Sequence, residues 1–496
     1  MYESRDLLTT RRRCICCHMR MALTGRRARG ASTTPAPNGL PSRGEEPDNT
    51  ATSRWSVLAR PGFRRLFVAD LISNVGDWVG LLAVVAVASR IAGRAELGVA
   101  AVMSARMIPG LIMGPLSGVL ADRWDRRRTM LAVNAGRAVI VFPLPFVRSL
   151  PLLCLASFLL EAQADLWGPA RQASLPHLVE RRELPAANSL SLVSIYGMLP
   201  VGSAFFAGLV TIGSSFSIFG VELPRETTAY WFDVVTFIVA IVILRKLRLP
   251  VRERGPSRGT RMRDTVRELR EGIIYVVHHR LVRAVVLCLP LGIGLGSAVV
   301  PLAPVLSRRV LDMGSSGFGL LIASLGVGAG LSVFVASAFG GRRSNPLLFS
   351  AALTGCGIAV ASVAVLATLP TAMVGMAATG LGAGLVYSTG FSIVQESVPD
   401  ELRGRAFGVL SQALRLALLG GLTLWPVVST VLQDEVGGRR FAIGDFGHTL
   451  DGARVTLWLA GLAIFLVGLL ATRLTRRAAS DEDAQAVTGT GLAVRP

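Results

Sequence analysis

Charge is scarce in this 496-residue chain: Asp, Glu, Lys and Arg make up 17% of it, where a soluble protein carries about 25%. Lysine is all but missing, with Lys246 the single one, a bias in keeping with an arginine-favouring genome. Six cysteines are too few and too scattered for a disulfide framework. Cys154, Cys288 and Cys356 fall in apolar stretches, and Cys14, Cys16 and Cys17 in the N-terminal tail beside His18. That cluster has metal-ligand residue types, but an unstructured basic tail, translated from an upstream start codon, is the plainer reading. The first 60 residues lack an apolar h-region, so no cleavable signal peptide is expected. None of the five histidines lies in an apolar span. There is no Walker lysine motif, no metal-ligand spacing in the apolar part and no catalytic triad. ATP as direct energy source, a bound metal, a cofactor and enzymatic chemistry are therefore not expected.

What is present is long apolar runs. Hydrophobic residues make up 51% of the chain and glycine contributes 53 residues, as expected where helices approach closely in lipid. Twelve spans near the ~20 residues needed to cross the hydrocarbon core can be drawn. They cover 65–89, 96–120, 128–147, 150–169, 187–211 and 229–246, then 284–306, 316–339, 347–369, 371–395, 405–431 and 454–473. The formal charge of +20 invites a nucleic-acid reading, but placement argues against it. Roughly 40 of the 52 basic residues sit in the tails and alternate loops, the positive-inside pattern, and only Arg106, Arg137 and Arg415 lie inside spans.

This predicts an all-α membrane protein with both termini cytoplasmic, in the plasma membrane. The expected parts are a disordered basic tail over 1–62, a six-helix bundle over 63–246, a cytoplasmic loop over 247–283, a second bundle over 284–474 and a disordered tail over 475–496. In the central loop Val266, Leu269, Ile273 and Val276 recur at helical spacing among Arg263, Arg267 and Arg270. An interfacial amphipathic helix fits that pattern, and so does a loop of solvated charge. The halves look duplicated. Gln172 and Pro176 recur as Gln395 and Pro399 at an offset of 223, which also sets Gly341, before Arg342 and Arg343, on Gly118. Repeats of this kind are a transporter architecture with a ligand site between the halves.

The stretch Gly114 to Arg128, GPLSGVLADRWDRRR, joins the second and third spans. It resembles the signature of the major facilitator superfamily, Gly-x3-Asp-Arg-x-Gly-Arg-Arg, in Gly118, Asp122, Arg123, Arg126 and Arg127, with Asp125 where the pattern has Gly. With FRRLFVADLISNVGDW at 63–78, PARQASLPHLV at 169–179 and VPDELRGRAFGV at 398–409, it is similar to the branch containing the enterobactin exporter and macrolide efflux permeases. The resemblance implies twelve helices in two pseudo-symmetric bundles, alternating access, and a gating loop in which Asp122 holds the inward-closed state against the eleventh helix, where Arg405 begins. The antiporter motif of the fifth helix is degraded: Gly197, Pro200, Gly202 and Gly208 are present without the adjoining Gly-Pro pair.

An ionisable group inside a span marks a pathway or a partner, because lipid makes it costly. Asp70 and Asp77 share one face of the first span. Arg106, Arg137, Glu161, Asp165, Asp233 and Arg415 follow, Asp233 toward the outer headgroups. Depth pairs Asp77 with Arg106, within ~2 Å by helix rise, and Arg137 with Glu161. Asp77 is the expected proton-exchanging carboxylate with Arg106 as counter-ion, since desolvation favours the protonated acid and an approaching arginine the ionised one. A static ion pair that only fixes packing is the alternative. The second half is nearly free of charge, with Tyr387, Phe391, Gln412 and Trp425 as candidate wall residues. Gly326, Gly328 and Gly330, like Gly380, Gly382 and Gly384, imitate a phosphate-binding fingerprint but lie inside apolar spans, where close helix packing explains them.

These readings converge on a monomeric secondary transporter exchanging protons for a small amphipathic organic compound (a drug, an antibiotic or a siderophore), with no nucleic-acid partner. Uptake or lipid flipping by the same fold, and a non-transporting scaffold or sensor, remain as alternatives.

Overall fold

The structure, a computed structural model, describes residues 56–213, 216–218, 221–249, 262–339, 345–365, 368–438, 440–443, 446–449 and 451–490. At 113–123, 196, 216–218, 221–222, 262–266, 268–269, 337, 339, 440–443, 446–449 and 478–490 it describes the backbone alone. The Cys14, Cys16 and Cys17 cluster and Gly341 to Arg343 lie outside the described residues, as do the side chains of Gly118, Asp122 and Arg123.

The first bundle contains α1 (Pro61–Ile91), α2 (Ala95–Arg123), α3 (Arg126–Val141), α4 (Leu150–Ser174), α5 (Leu184–Tyr196), α6 (Met198–Ile212) and α7 (Thr227–Arg245). After α8 (Met262–His278) come α9 (Arg280–Gly296), α10 (Val299–Arg309), α11 (Gly314–Phe339), α12 (Pro346–Val365), α13 (Leu369–Ser397), α14 (Asp400–Val436) and α15 (Gly452–Thr490). Among the described residues twelve segments are long and apolar enough to cross a membrane, and they follow the twelve predicted spans in order. Segment five is α5 and α6 meeting at Gly197, and segment seven is α9 and α10 meeting near Ser297.

Two six-helix bundles result, joined mainly along α2 with α14 and α6 with α11. Each carries a short antiparallel hairpin before its last span. β1 (Phe216–Ile218) pairs with β2 (Val221–Leu223), and β3 (Arg440–Ile443) with β4 (Phe446–Thr449). The recurrence of a hairpin at the same place in both halves fits the pseudo-symmetry that the loop motifs suggested. Gly328 of α11 and Gly380 of α13 each abut a backbone carbonyl of the other helix, where a Cβ would have no room, so the glycine rows serve close packing.

Three local details differ from expectation. The loop predicted from 170 is helix: α4 runs through Pro169 to Ser174, and Arg171 is buried at 5% exposure. A buried partner, Asp70, holds that arginine where hydropathy alone would end the span. Asp125, standing where the superfamily pattern has Gly, caps α3 by accepting from the Arg128 backbone N–H at 2.7 Å. Arg405 lies not at the start of its helix but inside α14, which begins at Asp400, and it pairs with Glu271 of α8 at 2.5 Å.

α8 is anchored to α14 by that pair, by the Tyr275 hydroxyl donating to the Ser397 carbonyl at 3.1 Å, and by Gly272 lying against the Arg405 backbone. Arg127 donates to the Leu244 and Arg245 carbonyls, tying the start of α3 to the end of α7.

Candidate functional site: a charged network inside the first bundle

The end of the molecule where α1 starts is called here the near end, and the opposite one the far end. Nine residues in from the near end of α1, Asp70 is surrounded. Trp167 of α4 donates its indole N–H at 3.1 Å, Ser194 of α5 donates its hydroxyl, and Arg171 approaches at 3.4 Å. Both ion-pair side chains are nearly inaccessible, 6% for Arg171 and 3% for Asp70. A buried pair survives only with such additional hydrogen bonds, because its desolvation is otherwise uncompensated. Trp167, Arg171 and Ser194 were not among the predicted site residues. Arg171 stood in the PARQ stretch, but hydropathy assigned it to a loop.

Two turns further along α1, Asp77 accepts from Arg137 of α3 at 3.1 Å. The Arg137 guanidinium also lies over the Phe237 ring of α7, 5.8 Å from its centre, a cation–π contact. Arg106 of α2 pairs with Glu161 of α4 at 2.9 Å. The predicted pairs are therefore exchanged: Asp77 takes Arg137, and Arg106 takes Glu161. Depth along the membrane normal is only one coordinate. α2 packs on α4, while α1 and α3 both pack on α7, so the direction each helix face points decides the partner.

Asp233 of α7 corrects a second expectation. It does not face headgroups but is buried at 3% exposure, with its carboxylate lodged against Gly76 and Gly80 of α1. Only a glycine face admits it, since a Cβ at either position would overlap its oxygens or Thr236. Asp77, Arg106, Arg137, Tyr230 and Asp233 line one small internal pocket.

Arg415 is the one predicted site residue contributed with charge by the second bundle. It crosses the interface to donate to the Gly110 carbonyl of α2. Asp165 lies on the same side of Gly110, and its Oδ2 is buried without a hydrogen-bond partner among the described residues. Close by, the hydroxyls of Ser104 and Thr423 meet across the halves at 2.7 Å.

The candidate wall residues of the second bundle divide. Tyr387 and Phe391 stack at 4.3 Å with Phe407 next in line, and Tyr387 is 40% exposed. Gln412 is half-buried, whereas Trp425 is buried in the bundle core and not on an open wall.

At the far end the halves are held by charge. Arg309 of α10 pairs with Glu96 of α2 at 2.7 Å and lies 3.8 Å from Asp451. Arg308 donates to the Ser89 hydroxyl. Glu226 takes Arg90 at 2.9 Å from its own bundle and the Ser315 hydroxyl at 2.8 Å from the other, and Arg94 meets Asp434 at 2.8 Å. No sequence signal pointed to these contacts. Their partners are 89 to 340 positions apart, at the helix ends and loops of the side that the charge count treated as sparsely charged.

Twelve segments among the described residues long and apolar enough to span, in two bundles with acid–arginine pairs inside the first, define a multi-pass membrane transporter rather than an enzyme. The chain belongs to the major facilitator superfamily: the profile described as "Transmembrane secretion effector" matches residues 52–486. The MFS-type transporter YfiS of Bacillus subtilis is 26% identical over 376 residues, covering 73% of this chain and 85% of that one. The multidrug efflux pump Tap of Mycobacterium bovis is also 26% identical, over 73% of this chain and 87% of its own. Among solved structures, a bacterial homolog of the human lysosomal transporter Spinster superposes with a TM-score of 0.64 at 13% identity. It covers 84% of this chain and 98% of that one, a likeness that speaks for the fold.

Proposed function

We propose that this protein exports a small, partly hydrophobic organic compound, amphipathic or cationic, in exchange for protons. It works as a monomer in the plasma membrane, by alternating access, with both termini in the cytoplasm. One observation carries the reading. Acid–arginine pairs sit at mid-depth in the first bundle, beside the seam that Arg415 crosses from the second. A scaffold gains nothing evident from buried charge, while a carrier needs groups whose pairing can change with its conformation. The similarity to a multidrug efflux pump supports export over uptake. With the near end cytoplasmic, the far-end ion pairs would close the protein to the outside, the same state named for the inward-facing Spinster homolog.

The test is reconstitution of the full chain into vesicles with an imposed pH gradient, following ethidium and a panel of antibiotics. Accumulation that collapses with the gradient is expected. Transport that ignores the gradient would reject proton exchange, and failure to move any compound would favour the scaffold.

A further inference from the structure

Between the two ends, the interior of the first bundle holds five carboxyl groups: Asp70, Asp77, Glu161, Asp165 and Asp233. Three guanidinium groups pair with them, and a fourth comes near. Arg171 takes Asp70, Arg137 takes Asp77, Arg106 takes Glu161, and Arg415 comes from the second bundle to the side of Gly110 where Asp165 lies. Among the described residues two carboxyls, Asp165 and Asp233, have no arginine within ion-pair range. A lone ionised carboxylate in a low-dielectric interior is too costly to persist, so the unpaired group that water does not reach is neutral.

The geometry says which. Asp233 is the more deeply buried of the two, 3% exposed where Asp165 is half-buried, and the side-chain hydrogen bond it receives is a long one, 3.4 Å from the Thr236 hydroxyl. Arg137, whose guanidinium lies over Phe237 one turn further along α7, gives its Nη1 to Asp77. Its buried Nε finds no acceptor among the described residues. The Tyr230 hydroxyl, one turn before Asp233, is likewise buried and unpartnered. An ionised Asp233 would draw in these idle donors, and it has not done so.

We infer that Asp233 is the carboxyl that holds a proton inside the first bundle, and that Arg137 is shared between it and Asp77. When Arg137 turns to Asp233, the proton of Asp233 passes to the Asp77 carboxylate that the arginine has left. Proton and guanidinium exchange places and the charge of the cluster is unchanged. Asp77, 28% exposed against 3% for Asp233, is the member able to release the proton to solvent. The charged or titratable groups facing Asp233 are Asp77 from α1, Arg106 from α2, Arg137 from α3 and Tyr230 from its own helix. Glu161 of α4 acts through Arg106. The use of this exchange to drive export rests on the function proposed above, whereas the location of the proton does not.

Infrared difference spectroscopy on the purified full-length protein reads the proton without a substrate. The wild type at neutral pH should show the C=O stretch of a protonated carboxyl. Asp233→Asn should remove that band, Asp233→Glu should move it, Asp165→Asn and Glu161→Gln should keep it, and Asp77→Asn, which frees Arg137 for Asp233, should weaken or remove it. Survival of the band in Asp233→Asn would place the proton on Asp165 or another carboxyl and overturn the inference, as would absence of the band from the wild type. If Asp233→Asn does not fold, a band that fails to move in Asp233→Glu overturns it equally. In vesicles, Asp233→Asn should lose at least tenfold of the ethidium accumulation driven by a pH gradient, and unchanged accumulation would reject the coupling role. A wild type that moves no ethidium but shows the expected infrared pattern would sink the export reading and leave the proton site standing.

Discussion

Arg309 and Glu96 belong to different bundles, yet they form a 2.7 Å ion pair at the far end, with Glu96 only 2% exposed. Removing Arg309 strands a buried carboxylate beneath the seam. A fully buried pair broken on one side costs about 3–5 kcal/mol, but Arg309 is 40% exposed, so about 2 kcal/mol is the expected loss for Arg309→Ala. That loss should favour states open at the far end. A cysteine replacing Ser104, which meets Thr423 across the seam, should then react faster with a membrane-impermeant maleimide added at that end. Unchanged labelling would mean that the pair does not hold the halves together.

The Asp70–Arg171 pair should behave as structural. Arg171→Ala is expected to lower the unfolding temperature in detergent by the equivalent of about 3–5 kcal/mol, because it leaves Asp70 buried with only Trp167 and Ser194 as donors. Combining it with Asp70→Asn should recover much of the loss. A double variant no better than Arg171→Ala would show that the pair's charges do not interact.

Gly80→Ala tests the lodging of Asp233. The added Cβ would overlap the carboxylate, and overpacking of this kind costs about 1–3 kcal/mol. Gly208→Ala, where nothing lies within reach of a Cβ, is the matched control and should be near neutral or mildly stabilising. Equal melting temperatures for the two variants would contradict the close α1–α7 contact.

Loss of the α3 cap should be measurable as well. Asp125→Ala removes the acceptor for the Arg128 N–H and should cost about 1 kcal/mol, with Asp125→Asn retaining most of it. Faster amide exchange confined to the first turn of α3 is the expected signature.

Glu271 supplies a pH dependence outside the spans. The hydrogen bond from Arg267, and after it the charge of Arg405, hold its carboxyl below the usual carboxylate range. A folded-state value lowered in this way means that its contribution is present above the ordinary range and is lost as pH falls through the lowered one. Exchange protection in α8 should therefore hold at neutral pH and drop on strong acidification, and Glu271→Gln should show the reduced protection at every pH.

Hydropathy and loop charge were enough to locate all twelve spans, because lipid imposes one length and one composition on any helix that crosses it. The same signals mark which buried charges are exceptional: Asp77, Arg106, Arg137, Glu161 and Arg415 were legible as such from the chain alone. Their partners were not. Sequence spacing gives depth along a helix and nothing about azimuth, so it joined Asp77 to Arg106 where packing joins Asp77 to Arg137. Arg171 was hidden by the hydropathy drop that its own charge creates, and Asp233 by its nearness to the start of its span.

What the linear chain settled by itself is therefore the solvent of each segment, and with it the spans and the family. What only three dimensions decided is which acid meets which base, at the far-end seam and around Asp233. A charge pays its cost of leaving water against whichever opposite charge the helix faces bring near, and those faces are chosen by the packing of the whole bundle.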